Sequence, residues 1–366
     1  MAFLKRMVLA LVVIALLLPA RAETVSTGAS AAILMEAETG RILYQQNIHE
    51  PRLIASITKL MTALVVTEQC KDLGAMITIR PEWTGAEGSS LYLKAGESIS
   101  LETLLYGLLL QSGNDAAVSL ACYVAGDEAA FAELMNQKAA ELEMKNSAFA
   151  NASGLNQEGH FSSAYDMALL ACACLKNEIV AKICATRTIT IGTRTFVNHN
   201  KLLWLYEGCV GMKTGYTERA GRTLVSVAQR EGMTLVCVTL NDGNDWNDHK
   251  RLFDYGFSAY SWQSLCEGGQ CFGIVPVSGS LIPFVEIRSA YEVGYPISDG
   301  ECPEMEIYPI AEIPAPAKAG MCVGNVIWRL NGTAIAEVPL VLSGGIGLDI
   351  REERTFTERL KEWIGK

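Results

Sequence analysis

Hydrophobic and polar positions follow several distinct patterns along this chain. Residues 1–22 place Lys5 and Arg6 ahead of the unbroken apolar run MVLALVVIALLLPA and close on Ala20-Arg21-Ala22. That is the layout of a cleaved secretory signal peptide. The run falls short of the roughly 20 apolar residues that span a bilayer, which disfavours an uncleaved anchor. Residues 31–46, AAILMEAETGRILYQQ, predict a strand hairpin turning at Thr39-Gly40. RTLVSVAQ and MTLVCVTL, separated by Arg230-Glu231-Gly232, predict a second hairpin over residues 222–240. Between the hairpins the pattern is mostly helical. LMTALVV is apolar all round and reads as a buried helix, and LETLLYGLLL and DAAVSLACYVAG read as two more. Strands at both ends of a helical middle imply an α+β domain with helices packed on a sheet, expected over residues 23–265. From about Cys271 the chain changes to short β-like runs broken by Gly and Pro. Asn331-Gly332 lies between alternating residues as a hairpin turn. A small β-sandwich is expected over residues 266–352. In residues 353–366, Phe356, Leu360, Trp363 and Ile364 fall at i, i+4, i+7 and i+8, which predicts an amphipathic C-terminal helix.

The formal net charge of −10 argues against nucleic acid as a partner, because phosphate binding relies on clustered Lys and Arg. The 11 cysteines are odd in number, and many lie in apolar runs, as Cys122, Cys172, Cys174, Cys184 and Cys237 do. They read mostly as buried free thiols filling core positions. Cys266 and Cys271, across a Gly-Gly turn, are the one candidate local disulfide. Cys172-x-Cys174 has no second pair at zinc-finger spacing, and His49, His160, His199 and His249 do not cluster in sequence, so no metal site is expected. Each histidine reads as a packing or hydrogen-bonding residue.

Three short motifs occur once each and in order: Ser56-Ile57-Thr58-Lys59, Ser112-Gly113-Asn114 and Lys213-Thr214-Gly215. Any one alone is weak. Ser56 could be a helix cap, Ser112-Gly113-Asn114 a helix stop and restart, and Lys213 a solvated strand start. Together and in this order they are the signature of penicillin-interacting serine enzymes. A serine hydroxyl must pass its proton to a base before it attacks a carbonyl. The spacing from Ser56 to Lys59 puts both on one helix face. Burial and a second cation, Lys213, would keep the Lys59 amine neutral enough to act as that base. Ser112 and Asn114 offer a proton-relaying hydroxyl and an amide for a peptide carbonyl. Lys213 and Thr214 at a strand edge, with Gly215 permitting close approach, suit a carboxylate.

By these residues the chain resembles the low-molecular-mass penicillin-binding proteins, specifically the serine-type D-alanyl-D-alanine carboxypeptidases of peptidase family S11. The likeness extends to NASGLNQEGHFSSAYDMALLA (residues 151–171), NHNKLLW (residues 198–204) and KTGYTERAGRTLV, and covers Ala31 to about Phe257. The chain departs from it at Val210, where an acidic residue is common, and in residues 241–250, where some members place an Arg. The resemblance implies a β-lactamase/transpeptidase-like fold, a five-stranded antiparallel sheet flanked by helices. It implies Ser56 as nucleophile, Lys59 as base, Ser112 and Asn114 assisting, and Lys213, Thr214, Gly215 and Tyr216 binding substrate. The oxyanion hole would be the backbone N–H groups of Ser56 and Tyr216. The implied substrates are peptidoglycan pentapeptide stems, with β-lactam antibiotics as inhibitors and no cofactor. Asp166 reads as structural, since Ser163-x-x-Asp166 forms a helix capping box.

The implied location is extracytoplasmic, with the C-terminal helix either on the outer face of the cytoplasmic membrane or docked on its own β domain. Two other functions fit less well. A class A β-lactamase needs a Glu with an Asn four residues later between the second and third motifs, and none is present. A non-catalytic peptidoglycan-binding protein would not need all three motifs intact.

Overall fold

The computed structural model describes residues 25–348. The expected signal peptide and C-terminal amphipathic helix lie outside these residues. The first domain is built on a five-stranded antiparallel sheet of β1 (Ala31–Glu36), β2 (Ile42–Gln46), β3 (Cys209–Thr217), β4 (Gly221–Arg230) and β5 (Met233–Leu240), in the order β2-β1-β5-β4-β3. Both predicted hairpins are present. They join because β1 pairs along its whole length with β5, Ala31 facing Leu240.

The near-continuous apolar runs of β1, β4 and β5 reflect burial on both faces. Ile33, Met35, Val225, Val227, Val236 and Val238 face the helical middle of the chain. Leu34, Leu224, Leu235 and Cys237 point the other way, onto Leu252 and Phe253. The helical middle contains α1 (Lys59–Gln69), α2 (Leu101–Leu110), α3 (Asn114–Ala125), α4 (Glu128–Glu141), α5 (Ala164–Lys176) and α6 (Glu178–Ala185), and α7 (Asp245–Ala259) covers the opposite face. The Ser163 side chain caps α5 by accepting from the Asp166 N–H. The Asp166 carboxylate in turn accepts from Asn146 N–H and the Ser147 hydroxyl, holding a loop.

Beyond α7 the chain enters an all-β unit directly. Strand β6 (Tyr260–Cys266) pairs with β9 (Val293–Ser298). A six-stranded sheet is formed from β7 (Cys271–Ser278), β8 (Phe284–Ser289), β10 (Glu304–Pro309), β11 (Ile313–Pro314), β12 (Cys322–Leu330) and β13 (Thr333–Leu342), in the order β10-β12-β13-β8-β7-β11. The hairpin at Asn331-Gly332 joins β12 to β13, with Asn331 at φ 51° as such a turn requires. Val275, Ile287, Val326, Trp328, Val338 and Leu340 form its core. Arg41, next to β2, ties the two units together. It pairs with Glu301 at 2.5 Å and packs between the rings of Tyr260 and Tyr295.

All 11 cysteines are free thiols. Cys266 and Cys271 do not pair: the Cys266 thiol is buried against the Tyr291 carbonyl, and that of Cys271 is exposed near the Gly273 carbonyl. The expectation of mostly buried thiols fails for Cys271, Cys302 and Cys322, which are exposed. Among the described residues no helix is long and apolar enough to cross a membrane.

Candidate active site

The site lies where the start of α1 meets the edge strand β3. Ser56 sits in a single 3-10 turn, Ala55–Thr58, and α1 begins at Lys59. Ser56 is therefore not the cap of a regular helix, and its side chain makes no capping bond there. Ala55, one residue earlier, is at φ 49°, a sparsely populated region for a residue with a Cβ. Gly154, itself at φ 84°, packs against this turn so closely that a Cβ would lie 2.0 Å from the Ala55 carbonyl oxygen.

Lys59 is fully buried. Its Nζ lies 2.9 Å from Ser56 Oγ, 2.7 Å from Asn114 Oδ1 and 2.6 Å from the Ser153 carbonyl oxygen. The orientation of the Asn114 amide follows from its other end, where Nδ2 donates to the Glu87 carbonyl. Burial, reinforced by the charge of Lys213, lowers the Lys59 pKa well below its ordinary value, with Asp115 pulling the other way. A neutral amine has two N–H donors and one lone pair. Asn114 Oδ1 and the Ser153 carbonyl can only accept, so they take both hydrogens. In its charged form Nζ also donates to Ser56 Oγ; in its neutral form the lone pair is left for the Ser56 hydroxyl to donate to.

Lys213 is also buried, and burial lowers its pKa to about 7. Its Nζ donates to the Thr214 carbonyl at 2.9 Å. Among the described residues β3 pairs only with β4, and its outer edge faces the Ser56 turn. At Gly215 the strand comes closest: a Cβ there would meet Ser56 N at 2.9 Å and Ile57 N at 3.1 Å. Thr223 on β4 pins the same junction by donating its hydroxyl to the Ile54 carbonyl. Thr214 and Gly215 are half-buried and Tyr216 is exposed, so the strand end is open to a ligand.

Ser112, at φ 62°, is buried, and its hydroxyl has no hydrogen-bond partner among the described residues. Such a hydroxyl is available to an incoming group.

The sequence marks residues 151–171 and reads His160 as a packing or hydrogen-bonding residue, without assigning either to a support beneath Lys59. Asn151 Oδ1 accepts from the N–H groups of Ser153 and Gly154 and so aims the Ser153 carbonyl at Nζ. His160 Nδ1 accepts from Ala150 N–H, which leaves the proton on Nε2 to bond Thr58 Oγ1 at 2.8 Å. Burial and the nearby Lys59 hold His160 neutral, with its pKa lowered to about 4. Among the described residues no group of three His, Cys, Asp or Glu is placed to hold a metal.

Comparison with known proteins agrees with this geometry. The profile of the D-alanyl-D-alanine carboxypeptidase family, peptidase S11, matches residues 19–244. The chain belongs to this family. D-alanyl-D-alanine carboxypeptidase DacF of Bacillus subtilis is 32% identical over 328 residues, covering 85% of this chain and 84% of that protein. DacC of Escherichia coli is 33% identical over 361 residues, covering 93% and 89%. Penicillin binding protein 5 from Haemophilus influenzae superposes with a TM-score of 0.77 at 27% identity, over 88% of this chain and 98% of that one. The likeness to these relatives thus reaches past the residues the family profile matches, and this peptidase S11 member is a serine peptidase of the penicillin-binding fold. Val210, the departure noted beside Gly211, is half-buried against the main core.

Proposed function

We propose that this S11 member removes the terminal D-alanine from peptidoglycan pentapeptide stems through an acyl-enzyme on Ser56. The Lys59 lone pair accepts the Ser56 proton as Oγ attacks the carbonyl of the penultimate D-alanine. The backbone N–H groups of Ser56 and Tyr216 take the developing oxyanion. The C–N bond breaks, and the proton passes by way of Ser112 to the departing D-alanine amine. Water then cleaves the ester and regenerates the Ser56 hydroxyl. Asn114 holds the substrate's peptide carbonyl, and Lys213 and Thr214 hold its terminal carboxylate beside Gly215. The observation that carries this reading is the Lys59 amine, fully buried and bonded to two acceptors, with one position left for Ser56.

β-Lactams present a strained amide to the same serine and should acylate it. Residues 1–22 would export the chain, leaving the enzyme outside the cytoplasmic membrane, and residues 353–366 would contact that membrane's outer face. The test is intact mass with benzylpenicillin over time, beside Ser56→Ala, followed by assay of D-alanine release from diacetyl-lysyl-D-alanyl-D-alanine. A slowly lost adduct that needs Ser56, with D-alanine release, is expected. Rapid penicillin turnover without a lasting adduct would mark a β-lactamase instead, and absence of any adduct would leave a binding protein.

A further inference from the structure

Asn114 and Ser153, the residues that orient Lys59, also line a neighbouring cavity of about 340 Å³. Trp83 and Leu155 give it apolar surface, and Glu82, Glu87 and Glu128 give it three carboxylates. Among the described residues no Lys, Arg or His lines it. None of the three carboxylates forms an ion pair among the described residues. Arg80, the nearest cation in sequence, lays its guanidinium over the Trp83 ring at 5.1 Å instead. Asp127, beside Glu128, is occupied in capping α4 through the Ala130 N–H.

Glu128 is the half-buried member of the three, and Glu82 and Glu87 are exposed. Burial raises the Glu128 carboxyl above its ordinary range, with the Ala152 backbone N–H pulling it partly back. An anion in that position gains from a cation brought beside it. The Glu87 segment is keyed to the catalytic side through its carbonyl, which accepts from Asn114 Nδ2.

The position of the cavity suggests its ligand. Resting on the carboxypeptidase reading above, Asn114 holds a peptide carbonyl next to the scissile D-alanyl-D-alanine. The residue just before that dipeptide then lies past Asn114, at the cavity. In stem peptides that residue carries an aliphatic chain ending in a primary amine, as lysine or as diaminopimelate. An apolar wall with carboxylates and no competing cation matches such a chain, and the volume is within the usual range for small-molecule pockets.

We propose that this cavity is a subsite for the primary ammonium of the residue preceding D-alanyl-D-alanine, with Glu128 as its main counter-charge. The free carboxylate that accompanies this amine in diaminopimelate is repelled by the same three glutamates. The subsite therefore favours lysine, or diaminopimelate with its distal carboxylate amidated.

The experiment compares D-alanine release by the full chain from Nα-acetyl-lysyl-D-alanyl-D-alanine and from its Nε-acetylated counterpart. The free amine should raise kcat/KM about tenfold, the value of one partly desolvated charge pair. The ratio should collapse toward one in Glu128→Gln and narrow in Glu87→Gln, each first shown to be acylated by benzylpenicillin as a check of folding. A ratio near one in the unaltered enzyme, or one unmoved in both variants, overturns the proposal. A third arm compares diaminopimelyl peptides with free and amidated distal carboxylates. Preference for the free acid also overturns it. Release of D-alanine from none of these peptides would instead overturn the underlying carboxypeptidase reading.

Discussion

The backbone of Gly215 lies so close to Ser56 that a Cβ on the glycine would stand 2.9 Å from the serine nitrogen. That Cβ would also meet Thr223 Oγ1 at 2.4 Å. The hydroxyl can turn away only by giving up its bond to the Ile54 carbonyl, and the backbone nitrogens of Ser56 and Ile57 cannot leave without moving the nucleophile. Gly215→Ala is therefore expected to fold and to lose about a hundredfold or more in acylation rate, as misplacement of reacting groups by an ångström commonly does. Stopped-flow or mass-resolved acylation by benzylpenicillin checks this, and an unchanged rate would show that the strand edge can retreat freely.

Ser112 separates catalysis from stability. Its buried hydroxyl has no partner among the described residues, and alanine can occupy the same φ of 62° at a similar cost. Ser112→Ala should leave the urea midpoint essentially unchanged, since no hydrogen bond is broken. D-alanine release should fall by about 10²–10⁴, the range for a lost proton-transfer group. A stability loss with activity retained would make the residue structural.

The pH dependence follows from the two lysines. Lys59 must be neutral to accept the Ser56 proton, so kcat/KM rises as pH increases through its lowered pKa. Lys213 must be charged to hold a carboxylate, and its pKa lies at about 7 with buried Cys184 close by and His199 facing it. The free-enzyme profile should fall again as pH passes about 7, whereas kcat, measured with the carboxylate bound, should hold to higher pH. A peptide ending in D-alaninamide, which needs no cation, should show no alkaline limb. Persistence of that limb would assign it to another group.

His160 makes acid stability specific to this site. Its folded pKa of about 4 lies below the ordinary 6.5, so above pH 6.5 both folded and unfolded states are neutral and nothing is lost. As pH falls from 6.5 to 4, the unfolded chain takes up a proton that the folded one refuses. Stability then drops by about 3 kcal/mol through this residue. Denaturant titrations at pH 7 and 4.5 should show a smaller drop in His160→Gln. His249, buried between Ser226 and Thr239 and lowered to about 3, accounts for a further drop that this variant keeps.

The parts of the site carried by side-chain identity were legible in the sequence. Ser56 and Asn114 meet at Lys59 Nζ and Gly215 closes on the Ser56 backbone, while the Ser112 hydroxyl has no partner among the described residues. The acceptor under Lys59 was not legible, because the Ser153 carbonyl belongs to the backbone, which every residue carries. Only its aiming by Asn151 depends on a side chain, through a local turn that has no periodic signature. The strain at Ala55 was hidden for a similar reason: nothing in an alanine announces φ 49°. Glu128 was equally silent, since an acidic residue in the first turn of a helix is ordinary. In the fold, periodicity predicted both hairpins, and the helical middle between them implied their pairing. The direct passage from α7 into β6 lacks any Pro or Gly break at Ala259-Tyr260 that would mark a change of sheet.

The pairing of Ala31 with Leu240 joins segments roughly 200 residues apart, and contacts of such long range slow folding. Strand β1 lies between β2 and β5, so until β5 is in place one side of β1 has no neighbour and the helices have only half a sheet to pack on. The burial that lowers the Lys59 pKa thus depends on the last strand of the sheet. A chain ending before Met233 would carry all three motifs in linear order yet have no reactive serine. The nucleophile and base are neighbours in sequence, yet the sheet they rest against closes only through a strand that comes after all three motifs.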